Sequence, residues 1–236
     1  MIWKILPFRM IDVIVGLAKI LTGAQAVWKD SRPDSKQRIY FANHTSNLDT
    51  IIIWSSLPFD LRKITRPVAA KDYWNQPGIK QHIATKELNV VFVERNKEKR
   101  TGDPLDPLRE ALRQGNSLIV FPEGQRNKEV VPGEFKSGIF RLHQEFPNVE
   151  LIPVYLENVA KTFPRGAFFP LPIICKARFG AAFHIEQDNL YMQNEEQKKA
   201  FLKEARIRVI DLIPEYVKSA TPDFAEKVKN PPVRGE

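Results

Sequence analysis

A histidine and an aspartate stand five residues apart in NHTSNLD, as His44 and Asp49. At that spacing a turn can fold an imidazole back onto a carboxylate. The carboxylate would accept the proton on one ring nitrogen and leave the other as a base. The same residues also have a plainer reading. Thr45, Ser46 or Asn47 can cap a helix starting near Leu48, Asp49 then favours the helix dipole, and His44 is a surface turn residue. This stretch alone does not choose between them.

Two further stretches bear on the choice. NVVFVERN ends an apolar run on Arg95, and LIVFPEGQRN ends another at Pro122, placing Glu123, Gly124 and Arg126 at its mouth. Gly124 permits a turn or a close backbone approach that a side chain would block. Arg126 can grip a phosphate through two parallel hydrogen bonds. Either stretch alone reads as a strand-ending turn, whereas two strands delivering arginines to one edge make a phosphate pocket. Other chemistries find little support. Ser137 in FKSGIF lacks the first glycine of a nucleophile elbow. His82, His143 and His184 lie too far from each other and from His44 for a paired metal spacing. The single cysteine, Cys175, excludes an internal disulfide and a Cys-rich zinc site. Glycine-rich dinucleotide and Walker sequences are absent. His44, if it acts, is expected to act without a protein nucleophile, a metal or a cofactor.

The elements that must hold these residues follow from the apolar runs. Strands are expected at 38–43, 67–70, 90–93, 117–121, 151–156 and 173–183. Helices are expected at 8–22, 48–57, 76–86, 104–114, with Asp103 as N-cap, 136–146 and 194–218. Short β-rich runs alternating with helix-length segments predict an α/β fold, with a mixed, largely parallel central sheet flanked by helices. In such sheets ligands bind beyond the carboxyl ends of the strands, where the polar stretches above lie.

The 236 residues carry a formal charge of +8, and residues 31–185 hold 23 Lys/Arg against 16 acids. A diffuse basic field attracts anionic lipid, phosphorylated small molecules and nucleic acid alike. Nucleic acid is set aside because no recognition module or aromatic interleaving accompanies the charge. No segment reads as a spanning helix or a signal peptide, since Lys4, Arg9, Asp12 and Lys19 interrupt the N-terminal apolar stretch. Wound as a helix, that stretch has a wide apolar face and a thin basic stripe, which suits a membrane interface. The expected organisation is an amphipathic N-terminal membrane-interface segment over 1–30, a central domain over 31–220 and a C-terminal tail over 221–236.

NHTSNLD, VVFVERN, FPEGQRN and LIPVYL occur in the order and spacing of the four blocks of the PlsC-like glycerolipid acyltransferases, which include the lysophosphatidic acid acyltransferases. The chain resembles that family over roughly residues 38–160. The resemblance implies transfer of a fatty acyl group from acyl-CoA or an acyl carrier protein to the free hydroxyl of a lysophospholipid, 1-acylglycerol-3-phosphate first. It implies His44 as general base and Asp49 as its orienting acid. It also implies Arg95 and Arg126 as holders of the acceptor phosphate, and Glu123 and Gly124 as part of the acceptor site. Lys71, in VAAKDYW, falls where many members carry a phosphate-reaching lysine, and Lys136 is a weaker candidate. Pro153 matches the fourth, structural block. The expected location is the cytoplasmic face of an anionic membrane, held peripherally or monotopically. Gln125, Asn89 and Glu94 depart from the family's usual Thr, Gly and Asp in the acceptor-site blocks. Another lysophospholipid acceptor, a thioesterase activity and a lipid-binding role remain alternatives within this fold.

Overall fold

Strands buried on both faces read as near-continuous apolar runs, and RIYFA is one: all five residues are buried in β2 (Arg38–Ala42). Ile39 and Phe41 face one side of the sheet and Tyr40 and Ala42 the other. The computed structural model describes residues 16, 23–71, 79–96, 98–127, 129–162, 171, 173–183 and 195–232. The other strands are β1 (Gln25–Trp28), β3 (Thr65–Ala70), β4 (Val91–Val93), β5 (Ser117–Val120), β6 (Glu150–Glu157) and β7 (Lys176–Phe179). They form one sheet in the order β1-β7-β6-β2-β5-β3-β4, parallel at every pairing except the antiparallel β6–β7. The carboxyl ends of β2, β3, β4, β5 and β6 therefore share one edge.

The helices are α1 (Asp49–Ser56), α2 (Phe59–Ile64), α3 (Ile79–His82) running into a π-helical turn (Ile83–Glu87), α4 (Asp106–Arg113), α5 (Gly138–Glu145), α6 (Val159–Thr162), α7 (Glu195–Ile210), α8 (Glu215–Ser219) and α9 (Phe224–Lys229). One face of the sheet packs Ile39, Phe41, Leu118 and Leu151 against Leu108 and Leu112 of α4, Leu142 of α5 and Val209 of α7. The other packs Tyr40, Ile119 and Ile152 against Ile52, Ile53 and Trp54 of α1 and against Leu57 and Leu61.

The structure shifts several expected boundaries. Strand 173–183 pairs regularly only over Lys176–Phe179. Beyond it, the Gly180 N–H still donates to the Pro153 carbonyl at 2.9 Å, and Phe183 makes an isolated bridge to Leu151. Pro153, in the middle of β6, has no N–H to offer on that side, so regular pairing stops there. Helix 104–114 begins at Asp106. Asp103 caps the preceding turn instead, its Oδ1 accepting the Leu105 N–H at 3.1 Å. Helix 194–218 is split, because Pro214 is extended and cannot continue α7 into α8. β1 was not anticipated and lies within the stretch assigned to a membrane segment. α9 lies within the stretch assigned to a tail, and its Phe224 and Val228 pack on the core. The expected helix 8–22 lies outside the described residues apart from helical Gly16. Among the described residues, no helix is long and apolar enough to cross a membrane.

Candidate active site

The turn after β2 starts with Asn43, whose side chain extends the parallel ladder past its last residue. Its Oδ1 accepts the Leu156 N–H at 2.7 Å and its Nδ2 donates to the Leu156 carbonyl at 3.2 Å. Buried Asn43 thus behaves like one more rung between β2 and β6 and fixes where the chain leaves the sheet. The next residue is His44, and its Nδ1 lies 2.9 Å from Asp49 Oδ2. Asp49 has no exposed surface, and the His44 side chain keeps 18% of its own. The same Asp49 oxygen accepts the backbone N–H groups of Thr45 at 2.6 Å and Ser46 at 2.8 Å. The carboxylate therefore closes the turn on itself. None of Thr45, Ser46 and Asn47 caps α1; Leu48 holds that position without a side-chain bond, although Ser46 Oγ accepts its N–H at 3.3 Å. The imidazole stacks on Phe121, with ring centres 4.3 Å apart. Nε2 is the ring nitrogen outside the bond to Asp49.

Seventy-nine residues on, Glu123 holds the same turn from below. Its Oε1 accepts the His44 N–H and its Oε2 the Gly133 N–H, each at 2.8 Å. Burial pushes the Glu123 carboxyl above the usual carboxylate range, while the Gly133 and His44 amides and the Asn127 side chain pull it back. The Asn127 N–H donates to the His44 carbonyl at 2.6 Å, so both main-chain groups of His44 are held by residues 123–127. Gly124 has φ +73°, and a Cβ built there would fall 2.5 Å from Lys136 Nζ.

Beside the histidine opens a cavity of about 710 Å³. Its apolar lining comes from Val68, Val93, Leu108, Val120, Ile139 and Leu142, and its charged lining from Arg95, Arg100, Arg126 and Lys136 with Glu94 as the one acid among the described residues. Arg126 Nη1 donates to Asn47 Oδ1 at 3.2 Å, which ties the third motif to the first. His44, Arg95, Gly124 and Arg126 are thus gathered on one cavity, with Asp49 and Glu123 buried behind its wall. Lys71 follows β3 directly, is exposed and is not part of the lining. Ile52, Ile53, Trp54 and Leu57 are used in packing the sheet, because α1 must bury that face; only Thr50 of residues 50–59 lines the cavity. Arg100 and Asn43 were missed. Arg100 stands five residues past Arg95 in the same strand-to-helix connection, and that repetition was the available signal. Asn43 has no comparable signature in sequence. Among the described residues, no cluster of His, Cys, Asp and Glu could hold a metal ion.

Comparison with known proteins places this site in context. A "probable 1-acyl-sn-glycerol-3-phosphate acyltransferase" of Mycoplasma pneumoniae is 28% identical over 142 residues, 57% of this chain and 50% of its own length. A chloroplastic 1-acyl-sn-glycerol-3-phosphate acyltransferase of Arabidopsis thaliana is 30% identical over 129 residues, 55% of this chain and 34% of its own. The chain therefore spans half or less of the length of these curated relatives. The crystal structure of the 1-acyl-sn-glycerophosphate (LPA) acyltransferase PlsC of Thermotoga maritima superposes with a TM-score of 0.64, at 21% identity, over 89% of this chain and 78% of that one, so the fold is shared. The Acyltransferase family model matches residues 25–157, more than half of the chain and the whole of the site just described, and the chain belongs to that family.

Proposed function

We propose that this protein is an O-acyltransferase that moves a fatty acyl group from a thioester, acyl-CoA or an acyl carrier protein, to the free hydroxyl of 1-acylglycerol-3-phosphate, giving phosphatidic acid. The observation that carries the reading is the 2.9 Å bond between His44 Nδ1 and a fully buried Asp49, at the wall of a cavity lined by both apolar side chains and arginines. That combination suits an amphiphile with a phosphate head. The names of the relatives supply the acceptor, and the donor is left as a thioester class.

In this mechanism Asp49 fixes the His44 tautomer so that Nε2 takes the proton of the acceptor hydroxyl. The oxygen attacks the thioester carbonyl, the C–O bond forms as the C–S bond breaks, and the imidazolium returns its proton to the leaving thiolate. Arg95 and Arg126 hold the phosphate and so orient the hydroxyl. The protein works at an anionic membrane surface on its cytoplasmic side, where the excess positive charge favours binding.

The test is mass spectrometry of the products from protein given long-chain acyl-CoA, or acyl carrier protein thioester, with a panel of lysophospholipids. Phosphatidic acid formed by the wild type and lost in His44→Ala supports the reading. Free fatty acid as the only product overturns it in favour of a thioesterase, and no product from either donor leaves a lipid-binding role. Co-sedimentation with vesicles of rising phosphatidylglycerol content, weakened by salt, checks the membrane surface.

A further inference from the structure

The connection from β4 to α4 brings two arginines to the cavity, Arg95 and half-buried Arg100. Most other arginines nearby are committed inside the protein. Arg109 binds Asp103, Asp106 and Glu145, Arg141 binds Asp103, and Arg38 binds Glu150. Asp103 is only three residues past Arg100, yet its two oxygens serve Arg109, Arg141 and the Leu105 N–H. Among the described residues, neither Arg95 nor Arg100 makes a hydrogen bond or an ion pair. The connection is nonetheless built. Asn96 Oδ1 accepts the Glu98 N–H at 2.9 Å, the Asn96 carbonyl accepts the Lys99 N–H at 3.2 Å, and Asp103 anchors the far end. Arg100 is therefore presented to the cavity with no anion among the described residues to satisfy it.

Among the described residues the lining then carries four cations against Glu94. A phosphodiester brings one negative charge, whereas a terminal phosphate monoester brings about −1.5 to −2 at pH 7 and three acceptor oxygens. Among the guanidinium groups, Arg95 and Arg126 set against Glu94 leave one net positive charge, which a diester neutralises, and Arg100 adds the second, which only a monoester uses.

We propose that Arg100 is a specificity-determining residue of the acceptor site, contacting the head group beside Arg95 and Arg126 and favouring a phosphate monoester over a phosphodiester. The proposal rests on the cavity being a lysophospholipid acceptor site. A guanidinium fork holds two phosphate oxygens at once, which a lysine at the same place cannot do.

The test compares wild type, Arg100→Gln and Arg100→Lys at saturating acyl-CoA. It measures KM for 1-acylglycerol-3-phosphate and the inhibition constant of a phosphodiester lysolipid, lysophosphatidylglycerol, against it. Expected for Arg100→Gln is a rise of about ten- to a hundredfold in the monoester KM, with kcat within about twofold and the diester constant nearly unchanged. Arg100→Lys should recover part of the loss. Equal weakening of both lysolipids, no change in either, or a rise in the acyl-CoA KM instead overturns the proposal; the last would assign Arg100 to the donor's phosphates. Thermal unfolding of the variants should stay close to wild type, since the side chain has no hydrogen bond or ion pair among the described residues to lose. A wild type that acylates no acceptor defeats the acyltransferase reading itself and this proposal with it, whereas transfer with an unchanged monoester-to-diester ratio in Arg100→Gln defeats only the role of Arg100.

Discussion

At the scale of single residues, the site contains two kinds of carboxylate that a list of motif positions would not separate. Asp49 touches His44, the proposed base, whereas Glu123 serves chiefly backbone, one N–H to each oxygen, with the Asn127 side chain beside it. His44→Ala removes the proposed base and should lower kcat by about 10²–10⁴-fold without changing the unfolding midpoint much. Glu123→Gln should behave differently. Glutamine has one acceptor oxygen, so either the His44 or the Gly133 N–H must face an amide donor; stability should fall by about 1–3 kcal/mol, with activity falling because His44 shifts. Urea titration beside kcat measurement separates the two. A stable but inactive Glu123→Gln would mean that the carboxylate touches substrate. Gly124→Ala combines a φ of +73° with displacement of the Lys136 tip, and a loss of about 1–2 kcal/mol is expected from the strained backbone alone.

At the scale of elements, the strand ends decide what the motifs can do. Asn43 is the last rung between β2 and β6, and Asn43→Leu leaves the main-chain groups of Leu156 unpaired in a buried place. A loss of about 1–3 kcal/mol is expected, together with a drop in kcat that Asn43→Gln does not repair, since the longer amide cannot occupy the rung. At the opposite edge buried Arg38 donates to one Glu150 oxygen at 2.9 Å while exposed Lys36 serves the other, so Arg38→Ala removes one of two cationic partners of a buried acid and should cost about 1–3 kcal/mol with catalysis per folded molecule unchanged. Much of this layer was legible in the sequence. Apolar runs flanked by polar turns gave β2 to β6 closely because such strands are buried on both faces. β1 was hidden because QAVW is short and adjoins a longer amphipathic stretch, and α9 because its packing residues Phe224 and Val228 are isolated among charges. The site was legible as far as its spacing went. What spacing could not reveal was direction: Glu123 turns inward to backbone, and Arg100 turns toward the cavity while its neighbour Arg109 turns to carboxylates.

At the scale of the whole molecule, acid should unfold the protein through a few paired carboxyls. The Arg141 hydrogen bond holds Asp103 below the usual range, and the Arg109 hydrogen bond does the same for Glu145. For Glu150 the upward push of burial is overcome by hydrogen bonds from Lys36 and Arg38, leaving it lowered as well. A carboxyl lowered in the folded state contributes its full stability above its unfolded value, near 3.9 for Asp and 4.3 for Glu, and loses it as pH falls through the folded value. Glu123 works in the opposite sense, since its raised folded value means that ionisation subtracts stability as pH rises past about 4.3. The urea midpoint should therefore hold from neutral pH down to about 5 and drop below about 4, and Arg109→Met should flatten that drop. A midpoint indifferent to pH across this range would remove these pairs from the stability of the fold.

The two amide bonds that tie His44 to residues 123–127, its own N–H to Glu123 and the Asn127 N–H to its carbonyl, also have a consequence in time. Neither of these protons can reach solvent unless both loops part, and the Gly133 proton waits on the same carboxylate. In deuterium exchange the three amides should open as one unit, at one rate, although their residues are far apart in the chain. The proposed base is then assembled and dismantled only together with its neighbouring loop, and the slowest exchange among those three protons would set the lifetime of a competent site.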